Sequence, residues 1–342
     1  MASPLHRRLI FPPTVYVKLG VPQGSVLGPL LFILYTADIS SLFPICGAAG
    51  HIFADDVQAF VHGPSSSQLL LVGSIQSLSN HLHSWMSSNR LSLNASKTQF
   101  IWFGTPQQLH KLDFALLSEK FPLFSFSSSV RDLGVTLDSS LTFTEHISNL
   151  TRSSYFYLRR LRAIRRSSIF TTLVHAFVFS RIDYCNSLLV GLPKVRLSPL
   201  QSVLKTAARL IARLPRYSHI SSFMFDELHW LPLHARIQFK ILSLIFKAQR
   251  GLAPQYLVGV ILRPHSASSY RPLRSCNRLD LLVPRSRTAM AQARSFASIG
   301  PSLWNALSPS VRSKILSGSL SSSFAFLKTC LFSRGLAHWE RF

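Results

Sequence analysis

Residues 51–61, HIFADDVQAFV, decide how the N-terminal part of the chain folds. Two short apolar runs flank the adjacent carboxylates Asp55 and Asp56. Short apolar segments separated by polar turn residues are typical of a β-hairpin. We therefore predict a hairpin that carries Asp55 and Asp56 at its turn.

Two adjacent carboxylates at a hairpin tip repel each other, and a divalent cation would remove that repulsion. Mg²⁺ is the hard, oxygen-seeking ion for such a place, and it usually also contacts a phosphate. A solvated Asp-Asp turn without any ligand is the more common explanation of this short pattern when it occurs alone. Both interpretations stay open on the hairpin alone.

The segments on either side of the hairpin have mainly helical patterns. A helix is predicted from about Ser25, with Pro29 tolerated in its first turn. After Thr144, long helical periodicity carries clustered arginines, and Leu158, Leu161, Ile164, Leu173 and Phe177 are expected on buried faces. The other predicted elements are helices at 66–89, 197–213, 233–250 and 321–332, strands at 98–103 and 130–137, and an irregular basic connection at 262–288.

The charge of the chain is strongly asymmetric. Its 342 residues include 37 Lys and Arg against 13 Asp and Glu, a net charge of +24, while 47% of the residues are hydrophobic. That apolar content excludes a disordered polycation. Residues 1–150 hold 8 basic and 8 acidic residues, so the whole excess lies in residues 151–342. Such an asymmetry indicates a polyanionic partner for the second part, with a basic surface kept for solubility as the alternative.

The cysteines and apolar stretches exclude several classes of protein. Cys46, Cys185, Cys276 and Cys330 occur singly, which argues against a zinc site and a disulfide scaffold. The apolar stretch 26–37 contains Gly28 and Pro29 and is short for a membrane span. We expect an intracellular protein of the nucleus or cytoplasm, without a signal peptide, transmembrane segment or membrane partner.

Four motifs in a fixed order carry a family resemblance. They are GVPQGSVLGPLLF at 20–32, FADD at 53–56, LSLNASKT at 91–98 and LGVTLD at 133–138. Together they resemble the reverse transcriptase of non-LTR, LINE-type retrotransposons. The resemblance continues through SRIDYCNSLLVGLP at 180–193, HWLPLHARIQFK at 229–240 and WNALSPSVR at 304–312.

The resemblance implies an α+β fold. A partial right-hand polymerase palm, with an antiparallel hairpin and helices, would be followed by a mostly α-helical thumb and C-terminal region. The expected domains are an unassigned segment at 1–19, the partial palm at 20–140, a helical thumb-like region at 141–260 and a basic C-terminal region at 261–342. The family reaction is RNA-templated DNA synthesis from dNTPs, a nucleotidyl transfer assisted by two metal ions.

The resemblance also implies site residues. Asp55 and Asp56 match the catalytic, Mg²⁺-binding hairpin, in which Phe53 stands where the family usually has Tyr. Lys97 resembles a lysine proposed to protonate the leaving pyrophosphate, although a solvent-facing lysine fits the sequence equally well. Pro22, Gln23 and Gly24 match the segment that lies against the incoming nucleotide and the template.

One expected element is missing from the sequence. A palm of this kind needs a further metal-binding aspartate before the Pro-Gln-Gly segment, yet no residue before Asp38 is acidic. We therefore expect a truncated, C-terminal piece of the polymerase that binds Mg²⁺ weakly and is inactive alone. Its partners would be an RNA template and a DNA primer, or an RNA–DNA duplex. The alternatives are a non-catalytic basic nucleic-acid-binding protein and a relic that does not fold.

Two smaller questions concern the basic part. Tyr155, Phe156, Tyr157 and Tyr217 lie among basic residues, where they could stack on bases or belong to the core. Asp183 lies in an apolar segment, and we expect it to pair with an arginine such as Arg181 rather than to act in catalysis.

Overall fold

A computed structural model describes residues 24–261, 279–285 and 288–339 of the chain. It divides into two compact units, with the boundary between Ser128 and Ser129. Helices predominate in both units, and each unit contains a two-stranded antiparallel sheet. This mixture confirms the predicted α+β class.

The described residues of the first unit, 24–128, form one long helix, four short α-helices and a hairpin. The long helix confirms the prediction for residues 66–89, and Pro29 lies in the first turn of the first helix, as expected. Proline is tolerated there because the first N–H groups of a helix have no intrahelical acceptor. The elements are α1 (Gly28–Tyr35), α2 (Leu42–Ile45), β1 (Ala49–Phe53), β2 (Asp56–Phe60), α3 (Gln68–Ser88), α4 (Pro106–Leu109) and α5 (Phe114–Lys120).

A small apolar core connects α2, α3 and the hairpin. Its buried members come from the segment around α2 and from α3, and Ile52 and Val57 of the hairpin pack against them. Ile52 and Val57 are opposite each other in the β1–β2 register, so they lie on the same face of the hairpin. The buried residues are Ile39, Phe43, Cys46, Leu78 and Leu82.

The predicted strand at 98–103 is wrong. Only Phe100 takes part in β pairing there, through an isolated bridge to Phe126. The aromatic side chains of this region pack on one another instead, with the Phe100 and Phe124 rings 4.4 Å apart and the Trp102 and Phe126 rings 5.8 Å apart. Ring packing thus takes the place that cross-strand pairing would have in a sheet.

The second unit begins with a hairpin where a single strand was predicted at 130–137. Leu133 and Gly134 both have positive φ values, of 42° and 85°, and reverse the chain within the apolar run. The helices after it include those predicted at 197–213, 233–250 and 321–332. The elements are β3 (Ser129–Asp132), β4 (Val135–Asp138), α6 (Thr144–Leu161), α7 (Phe170–Val174), α8 (Ser180–Asp183), α9 (Lys194–Ala212), α10 (Ser221–Asp226), α11 (Leu233–Gln249), α12 (Gln255–Ile261), α13 (Ala289–Arg294), α14 (Phe296–Asn305), α15 (Pro309–Ser317) and α16 (Leu320–Trp339).

Part of the predicted buried face in this unit is wrong. Leu158 and Leu161 are buried and Leu173 is partly buried, but Ile164 and Phe177 are exposed. Between α7 and α8 the helix forms a wider, π-type turn at His175–Phe179. One such turn inserts an extra residue into the helical repeat. The core positions therefore pass to Val178, Phe179 and Ile182.

The core of the second unit is large. It includes fully buried side chains of α9, α11, α14 and α16, for example Leu204, Phe246, Trp304 and Leu327. Asp183 is paired with an arginine, as expected, but the partner is Arg236 of α11 instead of Arg181. Most of the predicted irregular connection at 262–288 lies outside the described residues.

One stretch of the described chain, Gly28–Ile45, is long and apolar enough to cross a membrane by length and composition. Its mean hydropathy is 1.4, and only 17% of it is buried. The stretch is divided between α1, a 3-10 turn at Ala37–Ser41 and α2, and it includes Asp38. A single stretch of this kind is weak evidence for a membrane span, because core helices of soluble proteins can have the same length and apolar composition.

Candidate active site

The predicted hairpin with Asp55 and Asp56 at its tip is present. Phe53 of β1 pairs with Asp56 of β2, so Ala54 and Asp55 form a two-residue turn. Ala54 has a φ of 55°. A positive φ at the first turn residue is typical of the tight turns that fit the twist of a hairpin. It is unusual for alanine, since left-handed backbone is costly for a residue with a Cβ atom.

The two faces of the hairpin differ in environment. Ile52 and Val57 face the small core. The opposite face carries Phe53, which is 65% exposed, and Phe60, which is 47% exposed, with Asp56 across the ladder from Phe53. The ring of His51 lies on this face, 5.8 Å from that of Phe60. Asp56 therefore belongs to a solvent-facing aromatic surface.

Gly50 fixes the hairpin against α2. A Cβ atom at this position would lie 2.6 Å from the ring of Phe43 and 2.7 Å from the carbonyl oxygen of Gln58. These separations are shorter than van der Waals contact, so only glycine fits without displacement. The absence of a side chain lets β1 approach α2 closely, and this contact determines where the hairpin lies.

The carboxylates of Asp55 and Asp56 have the chemistry that Mg²⁺ prefers. Both residues are exposed, and within the described ranges neither carboxylate accepts a hydrogen bond or forms an ion pair. Unpaired carboxylate oxygens are ligands for hard cations. The described residues contain no group of three His, Cys, Asp or Glu side chains placed to hold a metal ion. The donor type fits Mg²⁺, while the donor number is low.

The other predicted site residues are placed as follows. Lys97 is exposed in a turn in which its backbone N–H donates to the carbonyl oxygen of Asn94 at 3.1 Å. It forms no ion pair with Asp55 or Asp56. Gly24 has a φ of 87° and an open surrounding, whereas Pro22 and Gln23 lie outside the described residues.

Asp38 has a separate structural task. Its Oδ2 accepts a hydrogen bond from the indole Nε1 of Trp85 on α3, at 3.0 Å. The contact joins the 3-10 turn after α1 to the long helix. Asp38 is thus engaged in holding two elements of the small core together.

The second unit presents an exposed basic surface at the end of α6 and just after it. Arg159, Arg160, Arg162 and Arg166 are exposed, and Arg165 is half-buried. None of these side chains forms a salt bridge within the described part of the chain. Unpaired guanidinium groups at this density attract phosphate.

The hairpin and its flanking segments match a known family. Residues 11–137 match the family described as reverse transcriptase (RNA-dependent DNA polymerase). This match covers the predicted nucleotide-binding segment, the Asp55–Asp56 hairpin and Lys97, and it ends within β4. The chain therefore carries a domain of the reverse transcriptase family.

Individual relatives indicate the type of mobile element from which this domain comes. The chain is 31% identical over 143 residues to the RNA-directed DNA polymerase from mobile element jockey of Drosophila funebris. This match covers 40% of this chain and 15% of that protein. It is 32% identical over 166 residues to a probable RNA-directed DNA polymerase from transposon BS of Drosophila melanogaster, with 45% and 17% covered. A similar match, 32% identical over 138 residues, is to a probable RNA-directed DNA polymerase from transposon X-element of the same species, and it covers 39% of this chain and 14% of that protein.

These relatives confirm the resemblance. The chain is related to the reverse transcriptases of non-LTR retrotransposons, and its reverse transcriptase domain is of retrotransposon origin. The aligned region spans about a sixth of the length of the curated relatives. No solved structure matches the chain.

Two features around the site are not predicted from the sequence. The contact of Gly50 with Phe43 and the shared face of Phe53, His51 and Phe60 were not anticipated. The strict alternation of side chains along a strand could have placed His51 and Phe53 on one face. The close approach of Gly50 to Phe43 has no such signal, because Phe43 lies outside the hairpin.

Proposed function

We propose that the Asp55–Asp56 hairpin is the metal-binding element of a reverse transcriptase palm. The observation that carries the proposal is the pair of exposed, unpaired carboxylates at a tight turn inside the family match. When bound, Mg²⁺ would neutralise the phosphate charges that develop during nucleotidyl transfer. Asp55 and Asp56 would hold it, and the apolar face of the hairpin would keep them in place.

The remaining site residues have roles in the same proposal. Pro22, Gln23 and Gly24 would form the backbone segment against the incoming nucleotide and the template. The exposed ammonium group of Lys97 would supply a proton to the leaving pyrophosphate. In domain terms, residues 20–140 would be a partial palm, 141–260 a thumb-like helical region and 261–342 a basic C-terminal region.

We further propose that the 342-residue chain alone does not extend a primer. Two adjacent carboxylates supply fewer ligands and less negative charge than a two-metal site requires. Asp38, the nearest other acidic residue before the hairpin, is hydrogen bonded to Trp85. Mg²⁺ would bind weakly at the hairpin, without the geometry that in-line transfer needs.

Primer extension tests this proposal. The purified chain is incubated with an RNA template, an annealed DNA primer, dNTPs and Mg²⁺, and the primer length is measured. We expect no extension above that of Asp55→Ala. Robust extension that disappears in Asp55→Ala would contradict the proposed inactivity and would support the metal-binding role. Extension that persists in Asp55→Ala would contradict both parts.

A second function is favoured by the exposed arginines of the second unit. In this alternative the chain is a non-catalytic protein that binds nucleic acid through phosphates, and it acts in the nucleus or cytoplasm. Each neutralised phosphate releases counterion, so the affinity should fall steeply with salt. A template–primer duplex titrated at increasing ionic strength measures this dependence. An affinity independent of salt would contradict the alternative.

A further inference from the structure

Two exposed aromatic rings in the second unit are each followed, one helical turn later, by an exposed arginine. On α6, the guanidinium carbon of Arg160 lies 4.9 Å from the centre of the Phe156 ring. On the helical run that continues from α7 into α8, Phe177 precedes Arg181 by the same four residues. Residues four apart lie on one face of a helix. We call these four residues and Tyr157 the aromatic–arginine surface.

Tyr157 joins the two pairs. Its ring is stacked on Phe177 with centres 5.5 Å apart and an angle of 19°, and it meets Phe156 edge-on at the same distance. Arg181 donates a hydrogen bond from Nη2 to the Tyr157 hydroxyl at 3.0 Å, and its guanidinium carbon lies 4.7 Å from the centre of the Tyr157 ring. The contacts hold the surface together across two helices.

The exposure of Phe177 results from the local backbone. Phe177 lies in the π-type turn at His175–Phe179, where the following residues, Val178 and Phe179, take the core positions. Phe156 is 43% exposed and Phe177 is 41% exposed. Both rings therefore present apolar area to solvent beside two guanidinium groups that form no salt bridge in the described part of the chain.

We propose that the aromatic–arginine surface binds single-stranded nucleic acid, with unpaired bases stacked on Phe156 and Phe177 and phosphates held by Arg160 and Arg181. Aromatic rings alternating with cationic groups are the combination that binds a single strand. In a duplex the faces of the bases are stacked on one another and are not available to protein rings. The positive charges of Arg160 and Arg181 complement a polyanion. An uncharged apolar ligand would leave these charges without a partner and is therefore excluded as the occupant of this surface.

This inference deepens the nucleic-acid-binding alternative and rests on it. It differs from general phosphate binding in one measurable respect: stacking on rings discriminates single strands from duplexes, whereas phosphate contact does not. Phe156 and Arg160 also lie on one face of α6, so stacking and phosphate binding would take place side by side there.

The test compares the affinity of the full chain for single-stranded RNA of about 12 nucleotides, a length within the site sizes of known single-strand binders, with that for a duplex of the same length. We expect the variant Phe156→Ala/Phe177→Ala to lose about tenfold or more in affinity for the single strand, and less than about twofold for the duplex. The salt dependence should stay unchanged, because the rings neutralise no phosphate.

Two further variants separate the contributions. Arg160→Ala/Arg181→Ala should reduce the slope of log affinity against log salt by about 1.4 for the single strand. Phe177→Trp should retain binding, and its fluorescence should be quenched by the single strand, which reports stacking directly. The matched control is Tyr217→Ala, since Tyr217 is 88% exposed with Arg216 5.8 Å from its ring centre but contacts no other aromatic ring among the described residues.

The outcomes distinguish this inference from the function on which it rests. If the unaltered chain binds neither single strand nor duplex, both are overturned. If it binds both with steep salt dependence and the Phe156→Ala/Phe177→Ala variant loses affinity equally for both or for neither, only the aromatic–arginine surface is overturned. An equal loss in Tyr217→Ala would overturn it as well. A cooperative melt of each variant, followed by circular dichroism, shows that the variants are folded.

Discussion

Asp183 and Arg236, which are 53 residues apart in the chain, form a two-pronged ion pair in the second unit. Arg236 donates from Nε to Oδ1 of Asp183 at 2.8 Å and from Nη2 to Oδ2. Its guanidinium group also lies over the ring of Phe179, 4.6 Å from the centre. The pair connects two motifs of the family resemblance, SRIDYCNSLLVGLP at 180–193 and HWLPLHARIQFK at 229–240. Residue types that look catalytic in isolation are thus structural here.

Removing one partner of this pair should destabilise the second unit. The Arg236 side chain is 17% exposed and that of Asp183 is 38% exposed, so each single variant leaves a half-buried charge without its partner. We expect Arg236→Gln to lower the free energy of unfolding by about 2–3 kcal/mol, somewhat less than for a fully buried pair. Urea denaturation of the variant and of the unaltered chain measures this difference in the free energy of unfolding.

Arg236→Lys should lose most of the same stability, since an ammonium group cannot replace the two parallel contacts. Lys240→Gln is the matched control, because Lys240 is exposed on the same helix, and it should change stability by less than about 0.5 kcal/mol. If Arg236→Gln and Lys240→Gln behave alike, the ion pair does not hold the two helices together.

Gly50→Ala should disturb the hairpin by overpacking. The added methyl group would meet Phe43 and the backbone oxygen of Gln58. Such crowding typically costs about 1–3 kcal/mol. The effect is measured as faster hydrogen exchange of the β1–β2 amides and a lower stability of the first unit.

Gly73→Ala provides the opposite expectation. Gly73 lies inside α3, and a Cβ atom there would meet nothing within 4 Å. Alanine is favoured over glycine in a helix interior by about 1 kcal/mol, so this variant should be stabilised. A destabilised Gly73→Ala, or an unaffected Gly50→Ala, would contradict the packing described for this unit.

Asp138→Ala should weaken the start of α6. The carboxylate of Asp138 accepts hydrogen bonds from the backbone N–H groups of Thr142, at 2.8 Å, and Phe143, at 2.6 Å. It thereby binds N–H groups just before the helix, and its charge is favourable near the positive end of the helix dipole. The expected loss is about 1–2 kcal/mol in urea denaturation, with a smaller loss in Asp138→Asn. Equal stability of all three proteins would show that the contact is unimportant.

The stability of the second unit should fall below neutral pH, in part through His146. Burial lowers the pKa of His146 below its usual value of 6.5. Its Nδ1 also accepts a hydrogen bond from the Thr136 N–H at 3.4 Å, which requires the neutral ring. Because the folded pKa is below the unfolded one, the unfolded chain binds more protons as the pH falls below about 6.5. The contribution of neutral His146 to the free energy of unfolding is therefore complete above this pH. It is lost as the pH falls through the pKa of His146 in the folded chain.

His146→Gln isolates this contribution, because a glutamine oxygen can accept the same hydrogen bond without titrating. Denaturant unfolding between about pH 5 and pH 8 should show a shallower loss of stability for the variant than for the unaltered chain. Parallel curves would mean that His146 does not contribute to the pH dependence.

The local patterns of this chain predicted more than its long-range contacts. The hairpin, α3, α9 and α11 follow from side-chain periodicity, and Asp55 and Asp56 lie at the predicted turn. The errors at 98–103 and 130–137 arise where an apolar run is also compatible with ring packing or with a tight turn at Leu133 and Gly134.

Contacts between distant segments could not be assigned from sequence. Asp183 has several arginines within reach along the chain, and only the packing of α11 selects Arg236. Phe177 fits the apolar period of its helix, but the π-type turn moves it to the surface. In the first case the tertiary structure selects the partner of an ion pair, and in the second it selects which residue is buried. The local sequence pattern allows either choice in both cases.

Metal binding at residues Asp55 and Asp56 is the central claim, and paramagnetic NMR tests it most directly. Mn²⁺ takes the same carboxylate oxygen ligands as Mg²⁺ and broadens the signals of nearby amides. We predict that Mn²⁺ at millimolar concentration broadens the amide signals of Ala54, Asp55 and Asp56 first, that Mg²⁺ relieves the broadening, and that Asp55→Asn/Asp56→Asn abolishes it. Broadening centred elsewhere, or unchanged in this double variant, would contradict the claim.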